Sequence, residues 1–265
     1  MSTKIEMFDD VQVLSRGRYL QLVAQITLLD DAIIRSNEPE EVLSYHYSNG
    51  LDNRFIVPWR KVKGKLRRLV MEQQRGLGIA KDCSLKNNLC MKCPSCLMFG
   101  GTGDTSQAKT GYNLLSRVLG ETFISTTPAG SANSYTANAV DETTLSTEQA
   151  FMTLLKVPAE TSFLGVVTLK DPTQELAAIL KDNLERLTRL GASTREWGRC
   201  KTELVGYKLE DRESLAAYDL AGQPIKEIQK QLRSIKELEL PDSTESLNKI
   251  EKQMANILPK IKQKK

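Results

Sequence analysis

The chain has 265 residues, of which 40% are hydrophobic and 26% are charged, as is usual for a globular protein that builds its own core. The net charge is only +4, but eight basic residues lie between Arg54 and Arg75, where Glu72 is the one acid; this local excess indicates a polyanionic partner at one surface. A single histidine, His46, argues against histidine-based acid–base catalysis, and the absence of any apolar run of about 18 residues predicts that no helix spans a membrane.

The predicted elements begin with an apolar strand over 19–29 and a long polar loop over 30–53. A helix follows from about Pro58 to Gln74, with Val62, Leu66 and Leu69 at helical spacing. The remaining pattern predicts, in chain order, an irregular insertion over 76–109, strands over 117–126, 151–155 and 162–169, a helix over 172–190 ending at Gly191, a strand over 201–209, and two amphipathic helices.

This order predicts an α+β fold of the ferredoxin-like plan, the plan of RNA-recognition domains, with helices on one face of the sheet. We expect one domain over residues 1–210, which includes the insertion at 76–109 and a loop or hairpin tip at about 127–138. The helices of residues 211–265 form an extension that packs on this domain or on a neighbouring subunit.

Four cysteines of the insertion fall within fourteen residues: Cys83, Cys90, Cys93 and Cys96. Their spacing allows four thiolates to close around one tetrahedral ion, which predicts a structural zinc site rather than an open catalytic one. Incidental free thiols and an iron–sulfur cluster are the alternatives. The polar, acidic start of the chain has no signal-peptide pattern, and we expect a cytoplasmic protein, where disulfides are rare.

The basic segment 57–68 reads VPWRKVKGKLRR and joins a strand to a helix. Its apolar residues predict a core-facing stripe, so its cations project elsewhere, and a helix N-terminus adds N–H donors for phosphates. A solvated basic face is the alternative. The loop GASTREWGRC, 191–200, supplies an aromatic side chain among arginines, a combination that binds single-stranded nucleic acid. The candidate RNA-binding residues are Arg60, Lys61, Lys63, Lys65, Arg67, Arg68, Arg195, Trp197 and Arg199.

Five segments in this order resemble motifs of one family: VPWRKVKGKLRR (57–68), CPSCLMFG (93–100), NAVDETT (138–144), VPAETSF (157–163) and RLGASTREWGRC (189–200). Together they resemble the backbone subunits of CRISPR effector complexes in the RAMP superfamily, and the type I-D branch is the most similar. The family's G-S-S stands here as Trp59-Arg60-Lys61, and its last loop glycine is replaced near Glu196-Trp197.

The resemblance implies a ferredoxin-like palm with a zinc-bound finger and a thumb hairpin near 127–138. It implies a structural subunit that oligomerises along a guide RNA, holds its phosphates through Lys61, Lys63, Lys65 and Arg67, and presents it to target DNA or RNA. Arg195, Trp197 and Arg199 would lie beside the guide. Other effector subunits and copies of the chain itself would be its partners, in antiviral defence.

An endoribonuclease that cuts target RNA or processes the guide is the alternative function. Relatives that cut RNA use an aspartate after the first strand, and here that loop contains Asp30, Asp31 and Asp52 without the family's glycine context. We therefore interpret Asp30 and Asp31 as solvated loop acids and expect no catalysis. A zinc-containing RNA-binding protein of another pathway remains a third hypothesis.

Overall fold

The computed structural model describes residues 5–34, 44–46, 51, 53–86, 88–103, 110–140 and 147–262. Its strands are β1 (Tyr19–Leu28), β2 (Ser44–Tyr45), β3 (Arg54–Val57), β4 (Val118–Gly120), β5 (Phe123–Ser125), β6 (Asn133–Val140), β7 (Thr147–Lys156), β8 (Ser162–Lys170) and β9 (Cys200–Glu210). Its helices are α1 (Trp59–Gly76), α2 (Pro94–Phe99), α3 (Gln174–Glu185), α4 (Ala217–Leu220), α5 (Ile225–Lys230) and α6 (Ser243–Lys262), with a 3-10 turn at Ile235–Glu237.

Some predicted features lie outside the described residues. They are most of the loop after β1, with Asp52, the end of the insertion at 104–109, the segment 141–146, which includes part of the NAVDETT motif, and the last three residues of the basic tail.

The described strands β1–β5, β8 and β9 form one antiparallel sheet in the order β2-β3-β5-β8-β1-β9, and β4 also pairs with β8. The long apolar strand β1 lies at its centre, paired with β8 from Tyr19 opposite Lys170 to Thr27 opposite Ser162. Its other edge pairs with β9. Every second residue of β1 from Leu20 to Leu28 is apolar and lies in the main core, whereas the other face has Val23 among Gln21, Gln25 and Thr27.

Both faces of the sheet are covered. Leu22 and Ala24 of β1 belong to the main core, with residues of α1, α3 and α6. Val23 points to the other face, where it packs in a second cluster with Leu220 of α4 and Ile228 of α5. The expectation of helices on one face is therefore wrong, because the chain after β9 folds back over the face opposite α1 and α3.

The predicted elements differ from the structure in several places. Helix α3 ends at Glu185 rather than at Leu190, because the next residues pair with the start of β9: Arg189 bridges Arg199. The predicted loop at 127–138 becomes strand from Asn133 onward, where β6 pairs with β7 in a separate hairpin. The insertion contains the short helix α2, with Cys93 as its N-cap and Pro94 in its first turn.

The C-terminal helix α6 packs on the domain itself. Leu247, Ile250 and Met254 are at most 1% exposed and belong to the main core. Of the helices in the described ranges, none combines the length and the apolar character that crossing a membrane requires.

Candidate nucleic-acid interface and metal centre

The four cysteines of the insertion meet as their spacing predicts. Cys83 precedes a tight loop, and the amide of Cys90 donates to the Cys83 sulfur at 3.4 Å. Cys93 and Cys96 lie at the start and on the first turn of α2. All four sulfurs lie within 4.8 Å of one another, and none is in a disulfide. The four thiols can therefore hold a metal ion.

The separations between the sulfurs fit one tetrahedral ion. The Cys83 sulfur lies 3.7 Å from that of Cys96 and 3.8 Å from that of Cys93. Four thiolates at about 2.3 Å from a central zinc would be about 3.8 Å apart. Hydrogen bonds from the thiols of Cys83, Cys93 and Cys96 lower the pKa of Cys90, whereas hydrogen bonds with Cys83 and Cys90 raise the pKa of Cys93 and of Cys96, because neighbouring thiols cannot all ionise without a cation.

The fifth cysteine is not part of this cluster. Cys200 is buried at the start of β9, where desolvation raises its pKa to about 12. Its thiol donates to the carbonyl of Leu187 at 3.5 Å. Cys200 is thus a protonated core residue.

The cations of α1 divide between two sides of the helix. At about 100° per residue, Lys61, Lys65 and Arg68 share one side and Lys63 and Arg67 share another, with Arg60 between them in the first turn. On that other side Arg67 donates to the carbonyl of Gly100 at 2.8 Å and lies 4.0 Å from the Cys96 sulfur. Lys63 is half-buried, and desolvation together with the Arg67 charge lowers its pKa. Lys63 and Arg67 therefore face the cysteine insertion.

The backbone of the glycine-rich loop, residues 191–200, is hydrogen-bonded to the segment after β1. The amide of Ala192 donates to Ile33 and that of Gly198 donates to Asp31, both at 2.8 Å. Gly191 and Gly198 have positive φ, and a Cβ on either would lie 2.6 Å or less from a carbonyl oxygen. Glycine is thus required at both positions.

A cleft of about 620 Å³ separates the basic side of α1 from this loop. Its buried floor is apolar and includes Ile33, Val57 and Leu190. Its cationic lining comes from both segments: Arg60, Lys61, Lys65, Arg68 and Arg189. No carboxylate lines the cleft in the part of the chain that the structure describes. Such a cleft can hold phosphates at its rim and apolar groups at its floor.

The predicted loop residues Arg195, Trp197 and Arg199 lie in the same loop but do not line the cleft. Arg195 and Arg199 are exposed. One face of the Trp197 ring is covered by the ammonium of Lys156, which lies 3.8 Å from the ring centroid. A base can therefore stack on Trp197 only from the opposite face.

Asp30 and Asp31 are anchored, which corrects their interpretation as solvated loop acids. Asp31 pairs with Lys156 at 3.1 Å and accepts a hydrogen bond from the amide of Ala159. Asp30 accepts from the amide of Arg199 at 2.7 Å. Both carboxylates hold neighbouring chain segments together. His46 is exposed.

Two residues of these sites were not singled out in the sequence. Arg189 lines the cleft and donates to the carbonyl of Thr194 at 2.7 Å, and it lies inside the RLGASTREWGRC motif. Gln74 touches the cysteine cluster, with its amide nitrogen 3.3 Å from the Cys93 sulfur. The sequence pattern could have pointed to Gln74, because it is a polar residue on the apolar stripe of α1, four residues after Val70.

Two solved structures share the fold. Csc2 of Thermofilum pendens, a crystal structure, aligns with a TM-score of 0.62 and 20% identity over 96% of this chain and 88% of that chain. A chain of a type IV-B CRISPR complex aligns with a TM-score of 0.52 and 15% identity over 77% of this chain and 95% of that chain. No curated protein matches the sequence.

The sequence also matches a family model, described as Csc2 Crispr, over residues 7–264. This range contains the cysteine insertion, α1 and the glycine-rich loop. The match extends through α6, which the resemblance of the five motifs did not reach. The chain therefore belongs to the Csc2 CRISPR family.

Proposed function

We propose that the chain is a structural backbone subunit of a CRISPR effector complex that binds the phosphates of a guide RNA. The cleft between α1 and the glycine-rich loop carries this proposal, because it brings five cations from two distant segments onto one surface. Guide-directed recognition leaves sequence reading to base pairing, so the protein needs a grip on the backbone rather than on the bases. Family membership supports the same role.

The proposal also covers the palm, the thumb hairpin and the type I-D branch that the resemblance implies. The order β9-β1-β8-β5, with α1 and α3 against one face, supports a ferredoxin-like palm. The hairpin of β6 and β7 corresponds to the thumb. We assign the chain to the type I-D branch, in the cytoplasm, with copies of itself, other effector subunits and a target DNA or RNA as partners.

We assign no nuclease role to the chain. The two described carboxylates that directly follow β1 are engaged: Asp31 with Lys156 and the Ala159 amide, and Asp30 with the Arg199 amide. A general base needs a lone pair directed at substrate, and these contacts occupy both oxygens of Asp31 and one oxygen of Asp30. This arrangement supports a binding role over the endoribonuclease alternative.

Removal of the cations from the cleft tests the proposal. We expect a variant with Arg60, Lys61, Lys65 and Arg68 all changed to Ala to copurify with far less RNA when expressed with a CRISPR array. The slope of log affinity against log salt should become shallower by about 0.7 for each phosphate that the variant no longer neutralises. Nuclease-treated protein and a labelled guide-length RNA give the slope.

A charge-matched control removes four exposed cations elsewhere, by changing Lys226, Lys230, Lys236 and Lys252 to Ala. We expect this control to retain RNA and to form the same regular protein–RNA assemblies as the wild type in electron micrographs. Equal RNA retention by the two variants would show that the RNA-binding site lies outside the cleft. A wild-type protein that stays monomeric and free of RNA would contradict the backbone role.

We propose that the four cysteines hold structural zinc. Sulfur separations of 3.7 and 3.8 Å support a single ion, since an iron–sulfur cluster attaches its cysteines to different irons and spreads the sulfurs further. Four thiolates fill a tetrahedral shell and leave no open position, so the zinc would supply folding energy to the insertion.

Metal analysis of protein purified without chelators should find one zinc per chain. We expect Cys93→Ser and Cys96→Ser to lose the metal and the folded insertion, because three thiolates bind far more weakly than four. Cys200→Ser is the matched control and should keep the metal. A stoichiometry near zero in the wild type, or iron in place of zinc, is the result that contradicts this assignment.

A further inference from the structure

Gln74 is the one polar side chain among the six buried residues of α1. It lies on α1 four residues after Val70 and eight after Leu66, and its exposure is 0%. A polar side chain in such a position costs free energy unless both ends of its amide are hydrogen-bonded. Its partners therefore indicate why glutamine stands there.

Both partners of Gln74 belong to the start of α2. The backbone amide of Ser95 donates to Oε1 at 3.1 Å, and Nε2 lies 3.3 Å from the sulfur of Cys93. A backbone N–H can only donate, so the contact with Ser95 fixes which end of the amide is oxygen. The N–H of Gln74 must then point at the sulfur, which acts as the acceptor.

Gln74 is accompanied by a cation from the same helix. Arg67, seven residues earlier, donates to Gly100 at 2.8 Å and places its guanidinium 4.0 Å from the Cys96 sulfur. Four thiolates around a divalent ion have a net charge of minus two. Donors and cations around such a centre orient its ligands and offset this charge.

We propose that Gln74 is a positioning residue of the metal centre, which holds Cys93 as a thiolate ligand and locks the first turn of α2 against α1. This inference rests on the proposed metal site and is independent of RNA binding. The arrangement gives α1 two roles, since its opposite side lines the basic cleft.

Two variants separate the parts of this contact. Gln74→Met keeps the volume and removes both hydrogen bonds. Gln74→Glu keeps the shape and the acceptor for Ser95, but replaces the donor with a carboxylate that repels the sulfur. We expect both to release metal to a chelator about 10 to 100 times faster than the wild type, and the thiolate-to-cobalt absorption band of the cobalt-substituted protein to shift.

The matched control is the neighbouring glutamine. Gln73 is also hydrogen-bonded, to Asp182 at 3.0 Å, Ser243 at 2.8 Å and Asn183 at 2.9 Å, but these partners lie on α3 and α6. Gln73→Met should therefore reduce stability by a similar amount and leave the metal release rate and the cobalt spectrum unchanged. A purely structural role for Gln74 would give the same release rate and spectrum in Gln73→Met and Gln74→Met.

The outcomes distinguish the inference from the metal site itself. Metal-loaded wild type with wild-type release rates and spectra in both Gln74 variants overturns the positioning role and leaves the site intact. Wild type that takes up neither zinc nor cobalt overturns both. If Gln74→Met fails to fold, the metal release rate and cobalt spectrum of Gln74→Glu test the positioning role, because this variant keeps the hydrogen bond to Ser95.

Discussion

Gly64 interrupts the basic side of α1 and lines the cleft. A Cβ at this position would meet nothing closer than the Arg68 guanidinium at 3.8 Å. Glycine inside a helix costs about 0.5–1 kcal/mol relative to alanine, so its presence here is unfavourable for the fold. We expect Gly64→Ala to raise the free energy of unfolding by this amount, and to weaken RNA binding because the new methyl group projects into the cleft.

The control for this change is Gly76→Ala, at the exposed end of the same helix, where a Cβ meets nothing within 4 Å. Chemical denaturation and RNA titration of both variants give the comparison. We expect both to be stabilised but only Gly64→Ala to bind RNA less tightly. If RNA affinity is unchanged in both, the backbone of α1 does not approach the RNA at this point.

Single residues also show how far the sequence could predict the site. The cysteine spacing was sufficient to predict the cluster, because the four ligands lie within one short segment. The charge pattern identified the cations of α1 but did not separate Lys61 from Lys63, since their direction depends on what packs against each side of the helix. Arg189 and Gln74 acquire their roles only through contacts with distant segments.

At the scale of elements, the base of the β6–β7 hairpin is tied to two loops by one side chain. Lys156 ends β7, pairs with Asp31 at 3.1 Å, and lies 3.8 Å from the Trp197 ring centroid. Its side chain is 8% exposed and that of Asp31 is 21% exposed. This contact joins the hairpin, the segment after β1 and the glycine-rich loop.

We expect Lys156→Met to lower the free energy of unfolding by about 2–3 kcal/mol, because it leaves a mostly buried carboxylate without its ion pair. Asp31→Asn in the same chain should recover part of this stability, and denaturation of the two single variants and the double variant gives the coupling energy. Lys201→Met, which breaks the exposed pair with Glu203, should cost less than about 1 kcal/mol. Additive effects at Lys156 and Asp31 would contradict this account.

Element prediction succeeded where one physical preference dominated. The strands β1, β8 and β9 and the core-facing side of α1 follow from apolar patterning alone. The end of α3 was missed because pairing of Arg189 with Arg199 overrides helix propensity. The hairpin was missed in part because β6, NSYTANAV, is rich in small polar residues with low strand propensity and forms through its partner strand.

At the scale of the whole molecule, the C-terminal helix packs against the core of the same chain. Helix α6 lies against α3, with further contacts to α1 and α2, and Lys249 pairs with Glu175 of α3. The two interpretations of this helix, core packing or contact with a neighbouring subunit, differ in what covers its apolar stripe. Leu247, Ile250 and Met254 are covered within the chain itself, so α6 should unfold together with the sheet.

Leu247→Ala tests whether α6 belongs to this cooperative unit. Its side chain is fully buried in the main core, so truncation should lower the free energy of unfolding by about 3 kcal/mol, because apolar burial is reduced and a cavity remains. Tryptophan fluorescence, from Trp59 on the same core and from Trp197 in the glycine-rich loop, reports the transition, and circular dichroism reports the helices. Both signals should shift together to lower denaturant, whereas Asn248→Ala, exposed on the next position, should stay within about 0.5 kcal/mol. A tryptophan transition that does not move would mean that α6 is a separable extension, and its stripe would then be available to a neighbouring subunit.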